Sequence, residues 1–301
     1  MNHPGSLLGI ETLSDRDISA LLDAAARMTL ERAKPLLAGR RIVLLFYEPS
    51  TRTRVSFEMA AKALGANTYL VLATASSIEK GETLLDTGLT LAAMGAEAIV
   101  IRHPSSGAPH FLQRYLDIPI INAGDGMHEH PSQALLDALT ILERKKKIAG
   151  LKIAVIGDIY HSRVARSDIH LLSRMGARIV LSGPPELLPD VAADFAPGLE
   201  LTRSADEAIT DADVVMLLRV QKERLGGLPL AVEQYVNDFQ ITPQRLARAK
   251  PDALLMHPGP MVRGMELSDA VADGAQSVVL RQVRNGVPVR MAILARALGK
   301  T

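Results

Sequence analysis

Residues 47–54 read YEPSTRTR, where an aliphatic strand pattern (RIVLLF, 41–46) runs into three hydroxyls and two arginines before SFEMAAKALG continues to Gly65. Pro49 breaks the strand register, Ser50 or Thr51 carries the side chain of a helix N-cap, and Gly65 suits the helix end. A helix start presents unpaired backbone N–H groups and the positive end of the helix dipole. Hydroxyls from Ser50, Thr51 and Thr53, joined by one guanidinium, would complete a cradle of phosphate size there. Arg52 and Arg54 stand two residues apart and point in different directions near a helix start, so one of them faces the anion. The bland alternative is an N-cap flanked by surface arginines, and this stretch alone does not decide between them.

Three further clusters can bind an anion. ASSIEKGETLLDT (75–87) sets Ser76, Ser77 and Lys80 ahead of a helix expected to begin near Thr83, although such a loop is more often plain solvated surface. Arg102 ends the strand EAIVI (97–101) in IRHP, and HEHPSQ (128–133) places His130 and Gln133 at a helix start. His128-Glu129-His130 lacks a third and fourth ligand at metal-binding spacing, so no metal is expected. GDIYHSR (157–163) follows a strand as a dinucleotide phosphate turn would, yet it lacks the spaced glycines that let a backbone approach pyrophosphate, and no cofactor is expected.

The elements that must position these groups follow from hydrophobic pattern. RIVLLF (41–46), NTYLVL (67–72), EAIVI (97–101) and IPIIN (118–122) alternate with helical stretches, and the rhythm restarts at LKIAVIG (151–157), ARIVLSG (177–183), DVVMLL (213–218) and DALLMH (252–257). That predicts an α/β chain of two tandem doubly wound domains, each with a mainly parallel sheet flanked by helices. The stretch 131–150 reads as a long linking helix stopped at Gly150, and 288–300 as a last amphipathic helix returning to the first half. The expected domains are residues 1–135 with 286–301, and 136–285.

Composition narrows the function. The 301 residues are 48% hydrophobic and 22% charged, and no uncharged apolar run is long enough to span a bilayer. The first residues lack the pattern of a secretory signal. With no cysteine, disulfides, thiolate metal sites and cysteine nucleophiles are excluded, and a reducing cytoplasm fits. Thirty-four Lys and Arg against thirty-three Asp and Glu leave a net charge of +1, and aromatics are 3%, so no field or stacking platform for nucleic acid is expected. Any anion site must be local.

Seven segments in order, FYEPSTRTRVSFE (46–58), SSIEKGET (76–83), IRHP (101–104), HPSQALLD (130–137), GDIYHSRVARS (157–167), LLRVQKERL (217–225) and MHPGPMVRG (256–264), make the whole chain resemble the aspartate/ornithine carbamoyltransferase family. The loop lysine in SSIEKGE, the segment RVQKERL and MHPGP in place of a His-Cys-Leu-Pro segment resemble the aspartate branch. Ser132 stands where the family often has Thr, and 226–243 is the least family-like stretch.

The resemblance implies transfer of the carbamoyl group of carbamoyl phosphate to the α-amine of L-aspartate, giving N-carbamoyl-L-aspartate and phosphate, an early step of pyrimidine (UMP) biosynthesis. It implies that Ser50, Thr51, Arg52, Thr53 and Ser76 bind carbamoyl phosphate, and that Thr53, Arg102 and His130 surround the carbamoyl oxygen. Gln133 with the backbone of Pro258, Gly259 and Pro260 holds the carbamoyl amino group, and Lys80, Arg163, Arg219 and Gln221 meet aspartate. Arg52, Thr53, Lys80, Arg102 and His130 are the residues expected to act in catalysis. Resemblance also implies a homotrimer in which the loop of Ser76 and Lys80 enters a neighbouring site, and it leaves room for a regulatory chain or a dihydroorotase partner. A cationic substrate such as ornithine, an NAD-linked reaction and a non-catalytic RNA-binding module are the rival readings.

Overall fold

Strands without polar alternation need cover on both faces, which in a parallel sheet is supplied by the crossover helices themselves. A computed structural model, describing residues 3–72, 81–220 and 231–300, has this architecture twice. One unit comprises Met1–Leu139 with Val283–Thr301, and the second comprises Thr140–Gln282. The first carries α1 (Asp15–Arg27), β1 (Arg41–Phe46), α2 (Thr51–Ala63), β2 (Asn67–Leu72), α3 (Leu84–Ala93), β3 (Ala98–His103), α4 (Ala108–Gln113) and β4 (Ile120–Asp125). Helix α5 (Pro131–Lys145) leads out of it. The second carries β5 (Lys152–Ile156), α6 (Arg163–Arg174), β6 (Arg178–Ser182), β7 (Glu200–Thr202), α7 (Ala205–Ile209) and β8 (Val214–Leu217). It continues through α8 (Val232–Phe239), α9 (Pro243–Leu246), β9 (Leu254–Met256) and α10 (Asp269–Ala272), and α11 (Val279–Ala297) leads back.

The strand orders are β2-β1-β3-β4 and β7-β6-β5-β8-β9, with every pairing parallel, as the doubly wound reading expects. In the first sheet Val43, Leu45, Ile99 and Ile101 pack with Leu8, Leu112, Leu116 and Ile120, while Ile42 and Leu44 are fully buried on the opposite face. In the second, Ala154, Ile156, Val215 and Leu217 meet Tyr235, Phe239, Leu255 and Leu267. Each sheet has one position where consecutive connections turn in opposite directions: β1 beside β3, and β5 beside β8. The loops leaving the carboxyl ends of those strands diverge there and open a crevice.

Two element ends differ from expectation. The linking helix stops at Lys145, not Gly150; Lys146 takes φ 68° while its amide bonds Leu142 O at 2.9 Å. Lys146 Nζ also satisfies a last-turn carbonyl, donating to Glu143 O at 3.0 Å, while Lys145 Nζ reaches away to Asp252 O at 2.6 Å. The amide of Gly150 is used elsewhere, donating to Gly176 O at 2.8 Å. The last helix begins at Val279 with Pro288 inside it, where a start at the proline was expected. Pro288 removes one donor from the ladder. The turns before it are held by other partners, among them the Arg281–Glu143 pair at 2.7 Å and the His257 amide donating to Gln282 Oε1 at 2.9 Å.

The N-terminal segment is fastened beside β4. Leu7 N donates to Ile120 O at 3.0 Å and Asn122 N to Leu7 O at 2.8 Å, while the buried Glu129 carboxylate accepts from Ile10 N at 2.9 Å and Glu11 N at 3.3 Å. Glu11, His128 and Glu129 bring one ligand atom each within 4.8 Å of one another, but these groups are engaged in the fastening. His128 Nδ1 lies 3.1 Å from Asp125 Oδ2 and its Nε2 lies 3.3 Å from Glu11 Oε1. The Asp125 contact, opposed by burial and aided by the charges of Glu129 and Glu11, lifts His128 to about 9. His110, whose ring centroid is 5.5 Å from that of His128, is held below its ordinary value by burial and by the His128 charge.

A folded-state value raised above the unfolded one gives stability that is fully present below about pH 6.5 and is lost as pH climbs through about 9. His128→Gln is expected to cost about 1–2 kcal/mol at pH 6.5, reduced by partial solvation of the ring, and almost nothing above pH 9.5. Thermal unfolding of both proteins across that range checks it.

Candidate active site

In the first unit the carboxyl ends of β1 and β3 deliver the loops that carry the predicted anion donors. Ser50 is the N-cap of α2, with φ −158° and ψ 97°, yet its hydroxyl makes no capping hydrogen bond. Ser14, Thr83, Ser162, Ser204 and Thr242 do cap their helices through the side chain. The Ser50 hydroxyl is therefore not spent on its own helix, unlike those five. Thr51 and Arg52 are exposed in the first turn, and Thr53 is buried.

Thr53 Oγ1 lies 3.4 Å from Nε2 of the buried His130. His130 begins α5, its carbonyl accepting from Gln133 N at 2.9 Å and Ala134 N at 3.3 Å, with Pro131 in the first helical position. Two helix N-termini thus converge, and both dipoles place positive charge there. Arg102 pairs with Phe46 across β1 and β3, and its carbonyl accepts the Tyr47 amide at 2.9 Å, which sets it beside the 47–50 loop. Its guanidinium is held by Glu48 at 3.3 Å and the Ala123 carbonyl at 3.4 Å.

Gln133 sits one turn into α5, and its Nε2 donates to both oxygens of the fully buried Asp137, at 3.1 and 3.2 Å. A carboxylate only accepts, so this contact fixes the amide with its NH2 toward Asp137 and its carbonyl oxygen turned away. A Gln so oriented offers an acceptor to a ligand. Behind it, Arg290 of α11 is buried, 3.4 Å from Ser132 Oγ and 5.1 Å over the Phe57 ring. Burial pulls its guanidinium down to about 10, opposed by the charge of Asp137.

In the second unit Arg163 is the first residue of α6, and Ser162 caps that helix by accepting from Ala165 N at 3.1 Å. The preceding turn is shaped by buried Asp158, which accepts from His161 N at 3.1 Å, and by Arg166, which donates to Tyr160 O at 2.9 Å. Arg166 also stacks over Phe195 at 5.0 Å, a supporting role that keeps it off the expected substrate set. Arg219 follows β8 and is exposed. Because β5 and β8 are neighbours, with Leu218 N bonded to Ile156 O at 2.8 Å, the two arginine loops leave the sheet side by side. Gly157 permits this: its φ is 129°, and a Cβ there would lie 2.9 Å from Leu218 O. Pro258, Gly259 and Pro260 follow β9, the next strand along.

The structure therefore gathers Ser50–Thr53, Arg102, His130 and Gln133 in one unit, and Arg163, Arg219 and 258–260 on one sheet edge of the other. Ser76, Lys80 and Gln221 lie outside the described residues. Sequence reasoning missed Glu48, Asp137, Asp158 and Arg290. Asp137 was findable, since four residues from Gln133 on a helix is one face, and a carboxylate inside ALLDALTIL must have a donor.

Two doubly wound units with candidate anion donors at both switch points suit an enzyme of small anionic substrates, and the chain belongs to the aspartate/ornithine carbamoyltransferase family. The family's carbamoyl-P binding domain matches residues 6–143 and its Asp/Orn binding domain residues 149–297. The aspartate carbamoyltransferase catalytic subunit of Koribacter versatilis is 64% identical over 297 residues, 99% of this chain and 98% of that protein. That of Solibacter usitatus is 54% identical, over 98% of this chain and the whole of that protein. Among solved structures, an ornithine carbamoyltransferase from Pyrococcus furiosus superposes with TM-score 0.89 at 30% identity, covering 100% of this chain and 99% of its own. An aspartate transcarbamoylase from Trypanosoma cruzi in complex with N-(phosphonacetyl)-L-aspartic acid gives 0.86 at 35% identity, over 96% and 94%. Backbone shape is shared by both branches and does not choose the substrate.

Gln133→Leu is expected to cost about 1–3 kcal/mol of stability by removing a buried donor from Asp137. Gln133→Glu, which sets two carboxylates together, is expected to lose more at pH 8 than at pH 5, where one of them protonates. Urea unfolding at the two pH values measures both.

Proposed function

We propose that the chain catalyses carbamoyl transfer from carbamoyl phosphate to the α-amine of L-aspartate, giving N-carbamoyl-L-aspartate and phosphate, an early step of pyrimidine (UMP) biosynthesis. The observation that carries this reading is the contact of Thr53 with His130 where the starts of α2 and α5 converge, with Arg102 one strand away. A phosphate dianion suits the α2 start with Ser50, Thr51, Arg52 and Thr53. The adjacent carbamoyl oxygen would lie toward Thr53, Arg102 and His130, and the carbamoyl NH2 toward the Gln133 carbonyl and the backbone of 258–260.

As the amine lone pair attacks the carbamoyl carbon, charge builds on its oxygen, and each preplaced donor there is worth about 2.7–4 kcal/mol of barrier. The new C–N bond forms, the C–O bond to phosphate breaks, and phosphate leaves with the electron pair and takes up the proton that the amine gives up. No covalent intermediate with the protein is needed, and positioning carries the rate. Arg163 and Arg219, side by side on the β5–β8 edge, match the two carboxylates of aspartate and disfavour the cationic side chain of ornithine. Ser76, Lys80 and Gln221 complete the set by resemblance.

A homotrimer with the Ser76–Lys80 loop reaching a neighbour's site fits the same reading, and cytoplasmic residence fits a cysteine-free chain. Among the described residues no helix is long and apolar enough to cross a membrane.

With carbamoyl phosphate and aspartate the protein is expected to form carbamoyl aspartate in a colorimetric ureido assay, and to form no citrulline from ornithine. Arg52→Ala is expected to lower kcat at least a hundredfold. Mixing inactive Lys80→Ala and Arg52→Ala chains is expected to restore part of the activity, and its absence in mixed trimers would count against shared sites.

A further inference from the structure

The second unit contains a buried acid that no binding role uses. Glu266, 1% exposed, lies in the turn after MHPGPMVRG and accepts hydrogen bonds from two different stretches of chain. Its Oε1 takes the Val220 amide at 2.9 Å, and its Oε2 takes the Val262 amide at 2.6 Å. Val220 follows Arg219, and Val262 stands two residues beyond Pro260. His257, the residue before Pro258, is fully buried with its Nε2 3.5 Å from Glu266 Oε2. Its Nδ1 accepts the Gly259 amide at 2.8 Å, so Nε2 bears the ring hydrogen; that nitrogen makes no hydrogen bond among the described residues and packs against the carboxylate by proximity alone. The Glu266 backbone is pinned as well, its carbonyl accepting Ile241 N at 2.9 Å.

A buried carboxylate is tolerated when donors meet it on every side, and charge-assisted bonds to backbone N–H are short and strong. It is also the one side chain with acceptors on two prongs. A carboxamide at this position would present an NH2 to one of the two amides. The arrangement therefore ties the loop after β8 to the loop after β9, and those are the loops expected to hold the aspartate carboxylate and the carbamoyl amino group. The Tyr235 phenol packed nearby is pushed up by burial and by the negative charge of Glu266.

We propose that Glu266, backed by His257, is a positioning residue for the transfer reaction: it sets Arg219 and the 258–260 carbonyls in register with each other, so that acceptor amine and carbamoyl carbon meet correctly. The inference rests on the carbamoyl-transfer reading given above. It places the coupling of the two subsites in one side chain that touches neither substrate.

The test compares wild type, Glu266→Gln and Glu266→Asp, each checked for native circular dichroism. Glu266→Gln is expected to raise the aspartate KM at least tenfold and to lower kcat at least tenfold, with the dissociation constant of inorganic phosphate changed less than threefold. Glu266→Asp keeps both acceptors on a shorter stem and is expected to recover part of each loss. A purely structural carboxylate would lower Tm and leave kcat and KM per folded molecule unchanged, which overturns the proposal. So would equal losses of phosphate and aspartate binding, or failure of both variants to fold, which would make Glu266 a folding determinant. An inactive wild type defeats the carbamoyl-transfer reading and this inference with it, whereas an active wild type with unaltered variants defeats this inference alone.

Discussion

A parallel sheet sends every strand's carboxyl end to the same edge, and this constraint governs where the chemistry can sit. Each unit reverses its winding once, at β1 beside β3 and at β5 beside β8, and only at those places do neighbouring loops part. The helices that follow begin at that edge, so their unpaired amides and positive dipole ends accumulate around the opening. Two such starts meet at Thr53 and His130. A crevice that suits an anion follows from the winding before any side chain is chosen, and the side chains around it add to that bias.

The refinement is local because the chain as a whole has almost no net charge, +1 in 301 residues. Attraction is concentrated in guanidiniums and oriented N–H groups, while buried and half-buried acids do a different task. Asp137 turns the Gln133 amide, Glu48 steadies Arg102, and Asp158 shapes the turn before Arg163. Each acid faces donors of the protein, so it orients them. In a site where a reaction needs placement more than a nucleophile, orienting groups of this kind matter as much as the donors in contact with substrate.

Much of this was legible from the chain. The aliphatic runs without alternation marked parallel strands, and the hydroxyl-arginine cluster after Pro49 marked a helix start with Ser50 or Thr51 as its cap, of which Ser50 is the one. Thr83 was read as the start of α3 and is its N-cap. What escaped was long-range or conformationally unusual. Lys146 ends α5 in a left-handed conformation that glycine normally takes, so Gly150 drew the boundary too far. Pro288 sits inside α11 because its upstream turns are anchored by partners distant in sequence, Glu143 and His257, which periodicity cannot reveal. Glu266 escaped for the same reason: its partner Val220 is 46 positions away.

The division of the chain into a contiguous second unit set inside an interrupted first one has a consequence for biogenesis. A ribosome releases residues 140–282 before it makes 283–301, yet the first unit needs that last stretch, which carries the buried Arg290 beside Ser132 and Phe57. The inserted unit has all its strands in hand early and is able to mature during translation. The outer unit stays incomplete until residues 283–301 emerge, because Phe57 of α2 and Ser132 of α5 lack the Arg290 that packs beside them.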